Sequence, residues 1–426
     1  MINLHKMNHV LCIDAKNLQV TVQSGCTVQQ VLKAIRPYGM TLENIPSIVT
    51  QQMGGLTQVS AHGTGLNIGP CDTQVVALQM IHPCNAQQVV SYEQDDDSSG
   101  LFPFVRVGLG SLGVVTQMTL QCVKSHKLKE EVRVCSHKEL TKKMADDSWL
   151  QAHQHLKVLW VPYTEHAVCI TADKVDDNGD GNHDGNDDGL SDVNASKHNA
   201  DEQCFNELYK YYNPKKQYFC DPGHCHKYSF ASWRDIILKQ QLEQPQGFHG
   251  LVGSFIRDLN QCELFYWKRL EQTHLTEGDH VAWNDDILGF ECGGQQLVYE
   301  ICFPHTQNDA LIVLDLLHHI QKLQIPAPAP IEQRWTARSA SVMSPAYSPN
   351  EKDKFMWLGI VFYLSTQDQK IRDDIIKNFA VYERALDQVS QKYGGIGHWA
   401  KLNLQHRSKD DVKLVKQHIQ LKSITS

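Results

Sequence analysis

This sequence predicts an α+β fold spread over more than one domain, and three observations point to it. The chain has 426 residues, which at about 150 residues per domain gives two or three. A strand–strand–helix pattern opens it, over residues 9–39. From about 204 to 320, helical stretches surround a strand-like run, the pattern of helices covering a sheet.

Composition narrows the class. With 41% hydrophobic and 21% charged residues, the chain can bury sizeable cores and is not disordered as a whole. A formal net charge of −8 argues against a broad basic surface for nucleic acid, though not against a local basic groove. No apolar run reaches the ~18 residues needed to span a bilayer. The first residues lead into strand-like sequence and carry no secretory or Arg-rich targeting pattern. Thirteen cysteines are scattered singly, without framework spacing, which points to a reducing compartment.

The elements follow in order. Val10, Cys12 and the run Leu18–Val22 flank a turn at Ala15-Lys16-Asn17, giving two short strands. Thr27 is the expected N-cap of a helix carrying Val28, Val31, Leu32 and Ile35 at helical spacing, and Gly39 ends it. A domain rarely begins inside such a unit, so an upstream portion is expected. Residues 53–69 hold Gly54, Gly55, Gly63 and Gly65 among Ser, Thr and His. That mixture suits either a backbone approaching an anion or planar ring, or a tight surface loop. Gly108-Leu-Gly110-Ser-Leu-Gly113 is formally G-x-G-x-x-G, but Val114 to Val123 is alternating and β-branched. A strand, not a helix, follows, so the dinucleotide fingerprint fails and a glycine-lined turn remains.

Residues 173–203, rich in Asp, Asn, Gly and Ser, read as a solvated acidic insert. Asp176 to Gly181 matches half a calcium loop, but the twelfth position is Asp187 and the eighth is His183. Cys220, His224, Cys225 and His226 offer zinc ligands without a second pair at finger spacing, against a polar loop as the plainer reading. Helices are predicted at Phe205–Tyr212, Phe230–Gln241 and Asn308–Leu323, and a strand at Gly294–Cys302.

The sharpest local signal lies at 325–339. Pro326, Pro328 and Pro330 hold the lead-in extended, and a strand follows. Strand alternation then puts Glu332, Arg334 and Thr336 on one face and Gln333 and Trp335 on the other. A carboxylate beside a guanidinium stays ionised and can accept a substrate hydrogen bond, while the Arg stabilises developing negative charge. The plainer alternative is a surface ion pair. His398-Trp399-Ala-Lys401 is either a second functional cluster or a buried aromatic with polar flanks.

Four segments in this order resemble one family. They are Gly54-Gly55 with Ala61-His62-Gly63-Thr64-Gly65; Arg106 to Val115, with Gly108, Gly110, Gly113 and Val114; Glu332 to Ser339; and His398 to Lys401. They are similar to those of the aldonolactone oxidoreductases, within the vanillyl-alcohol-oxidase class of flavoproteins, and most similar to the plant-type branch acting on L-galactono-1,4-lactone. Residues 287–296 and Pro326–Ser339 are especially similar.

The resemblance implies a partial FAD-binding domain of the vanillyl-alcohol-oxidase type over 1–125. A substrate cap follows over 126–403, carrying the insert 173–203, with a divergent tail at 404–426. It implies that a Gly-x-Gly-x-Ser pyrophosphate loop precedes Met1, and that the chain without it holds FAD weakly or not at all. Residues 54–65 and 106–115 match FAD contacts. Glu332 and Arg334 match the active-site pair, Glu332 orienting sugar hydroxyls and Arg334 stabilising charge. Lys401 holds the reacting hydroxyl and His398 supports it. Ala61, by its size, screens the flavin from oxygen, and Cys292 lies on the substrate side. The implied reaction carries hydride from C2 of L-galactono-1,4-lactone to flavin N5, the last step to ascorbate. Cytochrome c is the implied acceptor and the mitochondrion (inner membrane or intermembrane space) the implied compartment. The alternatives are an oxygen-using oxidase of a related lactone or polyol, and an inactive remnant that keeps the fold.

Overall fold

The computed structural model describes residues 2–175, 230–251, 253–278, 280–289 and 294–401. The acidic insert beyond residue 175 with its half calcium loop, the Cys220–His226 cluster, the helix expected at Phe205–Tyr212, Cys292 and the tail lie outside these residues.

Strands β1 (Val10–Asp14) and β2 (Gln19–Gln23) pair antiparallel, as their pattern predicts. The turn between them takes in Leu18, which sits at φ 53°. A branched residue is unfavourable there. The distant Cys122 and Gln121 hold it by donating to its carbonyl. Helix α1 (Val28–Ile35) starts at Thr27 through a capping box: Thr27 Oγ1 accepts from Gln30 N, and Gln30 Oε1 accepts from Thr27 N. Val28, Val31, Leu32 and Ile35, the stripe at helical spacing, are all buried. Gly39, at φ 64°, turns the chain into β3 (Met40–Thr41).

The glycine-rich stretch is not a surface loop at its start. Met53–Gln58 forms helix α2, whose Met53, Gly54, Leu56, Thr57 and Gln58 are buried. Strands β4 (Val75–Ile81), β5 (Val89–Glu93) and β6 (Val114–Gln121) complete a five-stranded sheet in the order β1-β2-β6-β4-β5. The Gly108–Gly113 turn runs straight into β6, as expected. Strand β7 (Val123–Lys124) pairs with β3.

The second sheet begins with β8 (Lys127–Ser136), β9 (His155–Trp160) and β10 (His166–Lys174). After helices α3 (Phe230–Leu242) and α4 (Ser254–Glu277) come β11 (His280–Trp283) and β12 (Gln296–Pro304). Helix α5 (Asp309–Leu323), strands β13 (Ile331–Ala337) and β14 (Lys354–Tyr363), helix α6 (Gln369–Tyr393) and strand β15 (Ile396–Gly397) follow. The eight strands lie in the order β11-β8-β10-β9-β13-β14-β12-β15.

This sheet has two different faces. Tyr299, Ile301, Phe303 and Ile360 belong to a core shared with α5 and α6. Burying each large apolar side chain there contributes about 1.5–3 kcal/mol. Gln333 and Trp335 join the same face: Trp160 Nε1 donates to Gln333 at 2.8 Å and Trp335 Nε1 donates to Asp309 at 2.7 Å. Glu300, Glu332, Arg334 and Trp357 take the opposite face, towards residues 60–72 of the first unit. The alternation expected for β13 is therefore the observed one. No helix among the described residues is long and apolar enough to cross a membrane.

Candidate active site

The segment 62–65 is clamped between the two sheets. Gly65 N donates to Trp335 O at 2.7 Å, the Thr64 hydroxyl donates to Leu156 O, and His155 Nδ1 donates to Thr64 O at 2.6 Å. Gly63 is required by its surroundings: a Cβ there would stand 2.0 Å from Asn44 Oδ1 and 2.3 Å from Ile45 O. One turn further on, buried Asp72 accepts from Ser60 at 2.6 Å and from Ser339 and Ser341 at 2.7 Å each. Asp72 thus ties this segment to the chain just after β13.

Gly63, Thr64 and Arg334 line one cleft, with Ser47, Lys157 and Glu130 around it. Arg334 is 6% exposed. Its guanidinium meets Glu332 at 3.2 Å, Glu300 at 3.1 Å and Ser47 Oγ at 3.3 Å. The surface-pair alternative for Glu332 and Arg334 therefore fails on burial.

Glu300 connects this pair to the third motif. Its carboxylate also accepts from His62 Nε2 at 3.0 Å and Lys401 Nζ at 2.7 Å. Burial alone would raise its pKa, but Lys401, His62 and Arg334 outweigh burial and hold it well below the carboxylate range. His62 stacks on Trp357 at 3.8 Å between ring centroids, and burial lowers its pKa. His398 is buried beside both rings and is pushed down to about 3, first by burial and then by Lys401. Its Nδ1 accepts from Ala400 N, as a neutral imidazole can.

Of the residues singled out in the sequence, Glu332, Arg334, Lys401, His398, His62, Gly63 and Thr64 come together here. Gly65 joins through its bond to β13, and Ala61 packs on the first core. Gly54, Gly55, Gly108, Gly110, Gly113 and Val114 do not line the cleft. Gly54 packs on Ser24, Gly108 N donates to Gln58 at 3.1 Å, and Gly113 packs on Ile81. Sequence reasoning missed Glu300 and Asp72.

The cleft residues fit a flavin with a polyhydroxylated substrate. Glu332 Oε1 is buried and has no hydrogen-bond partner among the described residues. A buried carboxylate oxygen left so is unfavourable unless a ligand donates to it. It stands beside Arg334, a fixed cation that shares the cleft with Gly63 and Thr64, a donor and acceptor set suited to a planar heterocycle with a sugar against it.

Comparison with known proteins agrees. A family profile described as FAD binding domain matches residues 1–89, and one described as D-arabinono-1,4-lactone oxidase matches 118–213 and 254–422. L-galactono-1,4-lactone dehydrogenase 1, mitochondrial, of Oryza sativa subsp. japonica is 38% identical over 97% of this chain and 67% of its own. The chain belongs to the aldonolactone oxidoreductases. The Arabidopsis thaliana member is 37% identical over 98% of this chain and 67% of its own. L-gulonolactone oxidase of Mus musculus is 25% identical over 94% and 76%. Among solved structures, a solvent-stable cholesterol oxidase superposes with a TM-score of 0.60 at 14% identity, covering 93% of this chain and 73% of that one; this likeness concerns the fold. As an aldonolactone oxidoreductase, the protein is an FAD-dependent lactone dehydrogenase or oxidase with a small-molecule lactone substrate.

Proposed function

We propose that this enzyme oxidises L-galactono-1,4-lactone to ascorbate, removing hydride from C2. One observation carries the reading: Arg334, partnered by Glu332 with its unpaired oxygen, opens onto the same cleft as Gly63 and Thr64. FAD, when bound, supplies the two-electron acceptor. The chain's own residues do the rest. Glu332 Oε1 accepts from a sugar hydroxyl and orients the ring. Where the C2 hydroxyl proton leaves for solvent ahead of hydride from C2, negative charge gathers on oxygen, and Arg334 stabilises it from a position that two carboxylates hold fixed. Lys401 holds the reacting hydroxyl, and neutral His398 packs behind it. Residues 1–125, with Gly54, Gly55, Ala61, His62, Gly63, Thr64, Gly65, Gly108, Gly110, Gly113 and Val114, serve FAD; residues 126–403 form the substrate cap.

Cytochrome c is the proposed acceptor and the mitochondrion the proposed compartment. The names of the rice and Arabidopsis relatives, printed as mitochondrial, support the compartment, and the acceptor rests on the family resemblance alone. The test is to load the protein with FAD, mix it without oxygen with L-galactono-1,4-lactone, L-gulono-1,4-lactone or D-arabinono-1,4-lactone, and follow flavin bleaching. Fastest bleaching by the galactono compound, with reoxidation by cytochrome c rather than air, is the expected result. No bleaching by any lactone overturns the reading.

A further inference from the structure

We infer, on the reading of Arg334 and Lys401 just given, that Glu300 is the positioning residue of this site and Gly359 the gap in the sheet that lets it act. Glu300 is 1% exposed. Its Oε1 meets Arg334 on β13, and its Oε2 meets His62 of the clamped segment and Lys401 after β15. Its main chain joins in, because His398 N donates to Glu300 O at 2.9 Å. One residue on β12 thus fixes three segments that are far apart in sequence.

The register explains how it reaches them. Glu300 on β12 and Glu332 on β13 both pair with Gly359 on the intervening β14, so the three form one row on one face. Two strand spacings separate the outer pair, about 9.6 Å. A Cβ at 359 would lie 3.3 Å from Glu300 Oε1. Glycine weakens the middle of a strand, and its presence there marks a place where another group passes close. Here that group is the Glu300 carboxylate, crossing β14 to Arg334.

Stability alone is a poor account of this arrangement. Desolvating a carboxylate and two cations is costly, and a buried ion pair often stabilises no more than apolar packing does. What the carboxylate does supply is geometry. Glu332 and Glu300 both meet Nη2 of Arg334 while Nη1 donates to Ser47 Oγ, and these contacts on two arms fix the orientation of the guanidinium. Lys401, 28% exposed, is drawn inward by the same group.

Two variants of the FAD-loaded full chain test this: Glu300→Gln, which keeps the shape and drops the charge, and Gly359→Ala, which keeps Glu300 but sets a methyl 3.3 Å from its Oε1, so that the carboxylate has to shift off its partners. The first readout needs no lactone chemistry. Lys401 is acylated with an amine reagent and the labelled peptide is quantified by mass spectrometry. Release from Glu300 should speed labelling roughly fivefold in both variants, the equivalent of about 1 kcal/mol. The second readout is flavin reduction at saturating lactone. It should fall roughly tenfold to hundredfold, with lactone affinity changed far less, as expected for misplaced rather than missing groups. If Glu300→Gln does not fold, Gly359→Ala carries both readouts. Parent-rate labelling of Lys401 in the folded variants overturns the inference, as does parent-rate reduction. Failure of the parent to be reduced by any lactone sinks the proposed function instead, and the labelling result still decides Glu300.

Discussion

Mild acid should destabilise this protein, with His155 responsible for a measurable share. The ring is 2% exposed, its Nδ1 donates to Thr64 O at 2.6 Å, and its Nε2 has no hydrogen-bond partner among the described residues. A second proton would put a charge and an unpaired N–H inside the clamp on the cleft. Burial, ahead of every other cause, pushes this imidazole down to about 4. In the unfolded chain it titrates near ~6.5. The folded value is the lower one, so the unfolded state takes the proton first. The native state is therefore unpenalised above pH ~6.5 and loses stability as pH falls, until the folded group itself protonates. Each pH unit below ~6.5 costs about 1.4 kcal/mol, so at pH ~5 His155 costs about 2 kcal/mol. His398, at about 3, adds a similar loss over the same window. Together they remove a large part of a typical 5–15 kcal/mol. His305 works in the opposite direction, because burial lowers it but Asp309 and Asp147 together outweigh that and raise it. The carboxylate of Glu300, held low, contributes nothing here; its stabilisation is lost only below pH ~4.3. The assay is urea unfolding at several pH values between about 5 and 7.5, parent against His155→Gln, whose amide can still donate to Thr64. Below pH ~6 the variant's slope should be shallower by about 1.4 kcal/mol per pH unit. Identical slopes would refute the reasoning.

Arg334→Lys should depress turnover by about a hundredfold or more while weakening lactone binding much less, since an ammonium lacks the planar fork whose one arm meets both carboxylates while the other reaches Ser47 and the cleft; near-parent flavin reduction by stopped flow would count against it. Gly63→Ala should lower the melting temperature by roughly 5 °C or more, because the added methyl meets the Ile45 carbonyl, which is backbone and cannot swing away; an unchanged melting curve would remove the close-approach account. Ala61→Gly should let air reoxidise the reduced flavin much faster without changing its reduction by lactone, and equal reoxidation rates would clear Ala61 of screening oxygen.

The parts of the fold that were legible in the sequence are those fixed by local chemistry. Helix α1 carries its own cap, its own apolar stripe and its own glycine stop. The facing of Glu332 and Arg334 follows from strand period alone, and so it survives in β13. Glu300 was not legible in the same way. It sits in Val298-Tyr-Glu-Ile-Cys302, a buried strand pattern, and the only signal is a charge where charges are not expected without a partner. Its partners lie at 62, 334 and 401, and the pairing of β12 beside β14 is not written in any local pattern. Asp72 is hidden for the same reason, since its hydroxyl partners at 339 and 341 belong to another sheet's connection. Glycine misleads for the converse reason. Close approach to Ser24, Asn44 or Ile45 demands glycine at 54 and 63 in the same way that close approach to a ligand does.

The central claim is that the Glu332–Arg334 cleft takes hydride from C2 of L-galactono-1,4-lactone. The most direct measurement is the anaerobic rate of flavin reduction in the FAD-loaded protein with lactone deuterated at C2, set against lactone deuterated at C3. A clear slowing by deuterium at C2 and none at C3, with that C2-dependent step nearly abolished in Arg334→Lys, is the result this account predicts. A rate indifferent to deuterium at C2 while Arg334→Lys still blocks reduction would place the bond broken at another carbon and contradict it.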